Sequence, residues 1–104
     1  MSRDMTASLL GLAMKAGKVS SGEYAAEMAI REGKACIAIV AVDASDNTAK
    51  RFRDKCSFYK VPLYFHFTKA ELGRALGKEE RAAAVITEEG LAKALEGKLL
   101  SDLK

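Results

Sequence analysis

The run CIAIVAV, Cys36 to Val42, constrains this chain most. It is continuously apolar and rich in β-branched residues, so no alternate position is suited to water. Such a run reads as a central strand covered on both faces. Covering both faces requires helices above and below a sheet, and 104 residues are enough for one domain with one core. No apolar run reaches membrane-spanning length.

The flanking patterns supply those helices. Residues 4–16 carry Met5, Leu9, Leu12, Ala13 and Ala16 at helical spacing, and Gly17 suits the stop. Lys18-Val19-Ser20 reads as a very short strand. A helix from about residue 22 to Glu32 follows, with Ser20-x-x-Glu23 spaced as a capping box and Gly33 as its end. After the polar turn Asp43 to Asn47, a helix shows Ala49, Phe52, Cys56 and Tyr59 on one face. Val61 to Phe67 is a second apolar strand, with Pro62 tolerated at its start. Thr68 and Glu71 form another capping box, opening a short helix that ends at Gly77. Lys78 to Arg81 is a charged loop and Ala82 to Ile86 a third strand. Thr87 caps a last helix to about Glu96, before Gly97, and Lys98 to Lys104 is a frayed or weakly helical tail.

Residues 1–104 thus form a single α/β domain with helices on both faces of a small sheet. Parallel pairing is favoured among the main strands, and the short strand at Lys18 makes the sheet mixed. The expected core includes Leu9, Leu12, Ile37, Ile39, Val40, Phe52, Leu63, Phe65, Leu72, Val85, Ile86 and Leu91.

Several function classes fall away. The stretch from Lys15 to Ala35 opens like a phosphate-binding loop, but Gly11 and Gly17 have five residues between them and Val19 follows Lys18. The segment before it reads as a helix where such a loop needs a strand, and there is no G-x-G-x-x-G. Cys36 and Cys56 with the single His66 make neither a zinc site nor a disulfide framework. Both thiols read as small buried hydrophobes. The N-terminus is amphipathic and leads into the fold, so a signal peptide is rejected and the expected compartment is cytoplasmic. Net charge is +3, but residues 50–81 hold nine Lys or Arg against four acids, while both flanking segments are slightly acidic. That cluster fits a nucleic-acid surface and equally an ordinary solvated face.

The strings AGKVSSGE, REGKACIAIVAVDAS, NTAKRFRDKCSFYKVPLY, TKAELGRALGKEER and AAAVITEEGLAKAL carry a resemblance in their order and spacing. Together, over about residues 6–96, the chain resembles the kink-turn-binding ribosomal-protein family of the L-seven-Ae and L-thirty-e type, in its bacterial YlxQ branch. The resemblance implies a three-layer α/β/α sandwich around a four-stranded sheet, binding to structured RNA, and no catalysis; no cofactor or metal is expected. It implies RNA contacts from Lys18 to Met28 and from Gly77 to Ala84.

The family's first motif runs glycine, any residue, Asn-Glu, two residues, Lys. Gly22 matches the glycine, but Tyr24 and Ala25 stand in place of Asn-Glu, and Met28 in place of Lys. Glu23 either replaces the missing glutamate or serves only the capping box. Tyr24 either stacks a base or packs in the core, with core the favoured reading. Ser21 flanks this site, and Lys18, Lys34, Lys78 and Arg81 are candidate phosphate partners. Glu79 and Ala82 complete the second segment, where small apolar residues beside cations can receive an extruded base.

The leading expectation is a small, monomeric, non-enzymatic protein that recognises kink-turn-like RNA, ribosomal or otherwise linked to translation, with no membrane or small-molecule partner. The alternative keeps the fold as a protein–protein adaptor that has lost kink-turn reading. A third class, an enzyme using Cys36 or Asp43, lacks an accompanying base or metal set, and Asp43 also suits a turn or helix cap.

Overall fold

The computed structural model describes residues 2–102. In chain order the elements are α1 (Ser2–Lys15), β1 (Val19–Ser21), α2 (Glu23–Arg31), β2 (Ile37–Val40), α3 (Asp46–Tyr59), β3 (Leu63–Phe65), α4 (Lys69–Leu76), β4 (Ala83–Ile86) and α5 (Glu89–Asp102). The strands form one mixed sheet in the order β1-β4-β2-β3. The apolar run does supply a central strand: every residue of β2 is buried, as is every residue of β4 beside it.

Alternation along these two strands divides the core. Ile37, Ile39, Ala84 and Ile86 face α1, α4 and α5, where Leu10, Leu72, Leu76, Leu95 and Leu99 meet them. Ala38, Val40, Ala83 and Val85 face α2 and α3, against Ala26, Ile30, Phe52 and Cys56. The result is the expected three-layer α/β/α sandwich.

The main strands are not all parallel. β2 and β3 are parallel, but β4 runs antiparallel to β2 and to β1. The cause is the return after α4. The loop after Gly77 folds back along the helix, so that the Arg81 N–H donates to the Lys69 carbonyl at 3.2 Å. β4 therefore begins at the end of the sheet where β3 finishes. The return depends on Gly73, where a Cβ would stand 2.0 Å from the Glu79 carbonyl oxygen.

Other expectations need correction. Helix α1 turns Thr6, Leu10 and Ala13 inward, while Leu12 is 62% exposed and Met5 also faces out. Apolar residues lie nearly all round this helix, so their spacing does not select one face. Leu9, Leu63, Phe65 and Leu91 are half-buried; apart from these and the exposed Leu12, the expected core residues are buried. On α3, Thr48, Phe52 and Cys56 form the buried face, and Tyr59 is exposed. Helix α5 does not stop before Gly97 but continues to Asp102. Buried Leu95 and Leu99 hold its last turns, and Asp102 Oδ2 accepts from Thr6 Oγ1 at 3.1 Å and lies 3.0 Å from His66 Nε2. Its start is capped by the Glu88 carboxylate, which accepts from the Leu91 N–H at 2.6 Å, rather than by Thr87.

Candidate nucleic-acid interface

The site begins where β1 becomes α2. Ser21 pairs with Ala84, and the Gly22 N–H continues the ladder by donating to the Ala83 carbonyl at 2.8 Å. The chain then turns sharply into the helix, with Gly22 at φ 95°, ψ 158°. That conformation is strained for any residue with a Cβ. No side chain caps the helix. The expected Ser20–Glu23 capping box is therefore absent, because Ser20 and Ser21 are engaged in the strand and Gly22 is the N-cap residue.

The same strand pairing brings the second segment alongside. A Cβ at Gly22 would lie 3.9 Å from Arg81 Cδ, so the two segments share one surface. Arg81 Nη1 donates to the carbonyls of Glu80 (2.9 Å) and Glu79 (3.3 Å), holding the side chain against its own loop. Lys78 and Glu79 are exposed in that loop. The Ala82 carbonyl accepts from the Ala41 N–H at 2.8 Å, which sets Val42 next to it. Val42 is 60% exposed, an unusual position for the end of an apolar run.

Tyr24 is 79% exposed and not part of the core. It heads a groove of about 260 Å³ lined by Ser20, Tyr24, Ala25, Met28, Glu32 and Lys34, among others. Lys34, paired with Glu32 at 3.3 Å, lies beyond the far end of α2, roughly 13 Å along the helix from Gly22. Lys18 is likewise at the other end of β1, its carbonyl accepting from Thr87 N–H. Ser21, Gly22, Glu23, Tyr24, Arg81 and Ala82 thus come together, with Lys78 and Glu79 in the adjoining loop; Lys34 meets this group only at the far end of the groove that Tyr24 heads, and Lys18 stands at the other end of β1.

Glu23 has partners that its neighbours in sequence do not reveal. Its Oε1 accepts from Arg51 Nη2 at 2.7 Å and from the Thr48 hydroxyl at 2.9 Å. Arg51 also donates through Nε to Glu27 at 3.1 Å, and Lys50 pairs with Asp54 at 3.0 Å. Part of the mid-chain positive charge is therefore balanced by Glu23 and Glu27 of α2.

The thiols are remote from this surface in chemistry. Burial pushes the Cys56 thiol up to about 11. Cys36 is only partly buried, contrary to the expectation for both thiols, and partial burial, then Glu89 and Glu88, raises it. Asp43 Oδ1 accepts from the Lys69 N–H at 2.8 Å and so caps α4 together with the Thr68–Glu71 box. Among the described residues no group of three or more His, Cys, Asp or Glu could hold a metal ion. No helix among them is long and apolar enough to cross a membrane.

A three-layer sandwich that sets a glycine-led helix start beside a charged loop defines a class of small α/β proteins. Within it, this chain belongs to the ribosomal protein L7Ae/L30e/S12e/Gadd45 family, whose model matches residues 4–96. It is 46% identical over 87 residues to the RNA-binding protein YlxQ of Bacillus subtilis, covering 84% of this chain and 87% of that protein. It is 42% identical over 91 residues to the RNA-binding protein YlxQ of Enterococcus faecium, covering 88% and 87%. Among solved structures, a protein of unknown function from Bacillus halodurans superposes with a TM-score of 0.87 at 33% identity, over 90% of this chain and 95% of that one. The Giardia lamblia 15.5kD RNA binding protein superposes with a TM-score of 0.82 at 22% identity, over 97% and 90%, a likeness of fold.

Proposed function

We propose that this protein is a monomeric, non-enzymatic RNA binder that recognises a sharply bent, kink-turn-like RNA by its shape, and that it serves ribosomal RNA or another RNA of translation in the cytoplasm. The observation that carries this reading is the union of Gly22 and Arg81 on one surface. Relatives that bear the name RNA-binding protein over most of their length support it.

The chemistry suits such a ligand. The missing Cβ at Gly22 lets an RNA backbone approach the uncapped amides at the start of α2. Arg81 and Lys78 reach phosphates on the second strand, with Lys18 and Lys34 available to longer arms. Tyr24 offers a stacking face that contributes roughly 1–3 kcal/mol per base. Ala82 and Val42 present a small apolar surface on which an extruded base can rest.

The test is a titration of the wild type, Gly22→Val, and Lys78→Ala with Arg81→Ala against a kink-turn RNA and a straight duplex at several salt concentrations. Folding of each variant is checked first. The double change is expected to flatten log affinity against log salt by roughly one unit for each phosphate left without its cation. Gly22→Val is expected to weaken binding with little change in that slope. Equal binding of both RNAs by the wild type rules out shape recognition, and binding to neither at low salt leaves the adaptor reading.

A further inference from the structure

A chain of charged groups crosses from α3 to α2 and ends beside Gly22. Lys55 Nζ lies 3.9 Å from Glu27 Oε2, Arg51 Nε donates to Glu27 Oε1 at 3.1 Å, and Arg51 Nη2 donates to Glu23 Oε1 at 2.7 Å. The Thr48 hydroxyl donates to the same Glu23 oxygen at 2.9 Å. Thr48 is buried, and its oxygen accepts from the Ser45 hydroxyl at 3.0 Å, so its own proton is committed to Glu23. Two donors therefore converge on Oε1. Among the described residues, Oε2 of Glu23 has no hydrogen-bond partner, and the side chain is 41% exposed.

We propose that Arg51 and Thr48 are positioning residues that fix the Glu23 carboxylate, so that Oε2 is presented to the bound RNA as an acceptor. The inference rests on the RNA-binding reading above. An acid at an RNA surface repels phosphate, so its natural partners are N–H groups on base edges or a ribose hydroxyl. A glutamate in the first turn of a helix is free to choose among rotamers unless something holds it. Here one oxygen belongs to the protein and the other is left for the ligand. Arg51 also offsets the negative charge of Glu23, which lowers its repulsion of the RNA backbone. Anchored to Glu27 by Nε, Arg51 is itself turned toward α2 rather than outward to a phosphate.

The simpler account is that these pairs only join α2 to α3. Partly exposed ion pairs contribute little to stability, so the two accounts differ in what they make of binding. The experiment measures affinity for a kink-turn RNA at several salt concentrations, with urea denaturation alongside, for Glu23→Gln, Arg51→Met, Arg51→Lys, Thr48→Val and the Glu23→Gln/Arg51→Met pair. Arg51→Met and Thr48→Val are expected to weaken binding by roughly tenfold, about the effect of removing a hydrogen bond to a charged group. The salt slope stays as in the wild type, Arg51→Lys recovers part of the loss, and Arg51→Met has almost no further effect once Glu23 is Gln.

The proposal is overturned if the Arg51→Met loss persists in the Glu23→Gln background with a slope shallower by about one unit, since Arg51 would then hold a phosphate. It is also overturned if Glu23→Gln weakens binding while Arg51→Met and Thr48→Val do not, whatever their stability. If the wild type does not prefer the kink-turn RNA to a duplex, the reading beneath it fails and this proposal fails with it. Thr48→Val keeps the side-chain shape and decides the matter should Arg51→Met not fold.

Discussion

A methyl group at position 73 has no room. It would enter the Glu79 carbonyl oxygen at 2.0 Å, and the atoms it would meet are all backbone. Gly73→Ala is expected to destabilise the fold by roughly 1–3 kcal/mol, the usual range for overpacking, read as a lower urea midpoint. The variant is also expected to bind RNA more weakly, because the displaced loop carries Lys78 and Arg81. At the opposite extreme, Cys56 is packed in the core away from water. With its thiol raised to about 11 against an ordinary value near 9.0, alkylation by iodoacetamide at pH 8 should be far slower in the native protein than in urea. The stability tied to this thiol is present below pH 9.0 and is lost as pH rises from there toward about 11, so a Cys56→Ala variant should show a flatter decline over that window.

Helices α5 and α1 set the limit of what periodicity can show. Gly97 looks like a stop, yet α5 runs through it, because exposed glycine costs a helix only about 1 kcal/mol and buried Leu99 outweighs that. Leu99→Ala should therefore cost roughly 2–5 kcal/mol, while Leu100→Ala, on the exposed side, should change stability by less than about 0.5 kcal/mol; thermal or urea unfolding decides. Ile39→Ala, in the central strand and 1% exposed, belongs with Leu99. The β2 run, the Thr68–Glu71 box and the helix ends at Gly33 and Gly77 were legible because each depends on neighbours in sequence. The inward face of α1 was not, since Leu9, Leu10 and Leu12 are equivalent until α4 and α5 choose among them. Nor was the direction of β4, which is set by a close backbone approach at Gly73 that leaves no trace in hydropathy. In the proposed site, Gly22 and the Lys78–Ala82 loop were suggested by resemblance, whereas Arg51 and Thr48 are joined to Glu23 only by the packing of α3 on α2.

For the whole molecule, the charge map differs from the sequence map. Residues 50–81 hold a +5 excess in sequence, but Arg51 and Lys55 face Glu23 and Glu27, acids from outside that segment. If Lys18, Lys34, Lys78 and Arg81 are the phosphate partners, log affinity should fall with log salt at a slope of no more than about 4. A steeper slope would mean that cations of α3 take part and that the pairs open on binding. Sequence counts charge along a line, and only folding places acids of one helix over cations of the next.

The hydrogen bond from Gly22 to Ala83 ties both halves of the proposed site to adjacent strands, with no hinge between them. Such a surface is a fixed template, so the conformational work of forming the complex falls on the RNA. An RNA that is bent for only a fraction of the time binds with its affinity reduced by that fraction. Divalent cations that favour the bent form should then raise the apparent affinity up to the point where the RNA is fully bent, and no further. Stopped-flow association measured against a fluorescently reported bend would reveal this as a rate that follows the bent population rather than the protein.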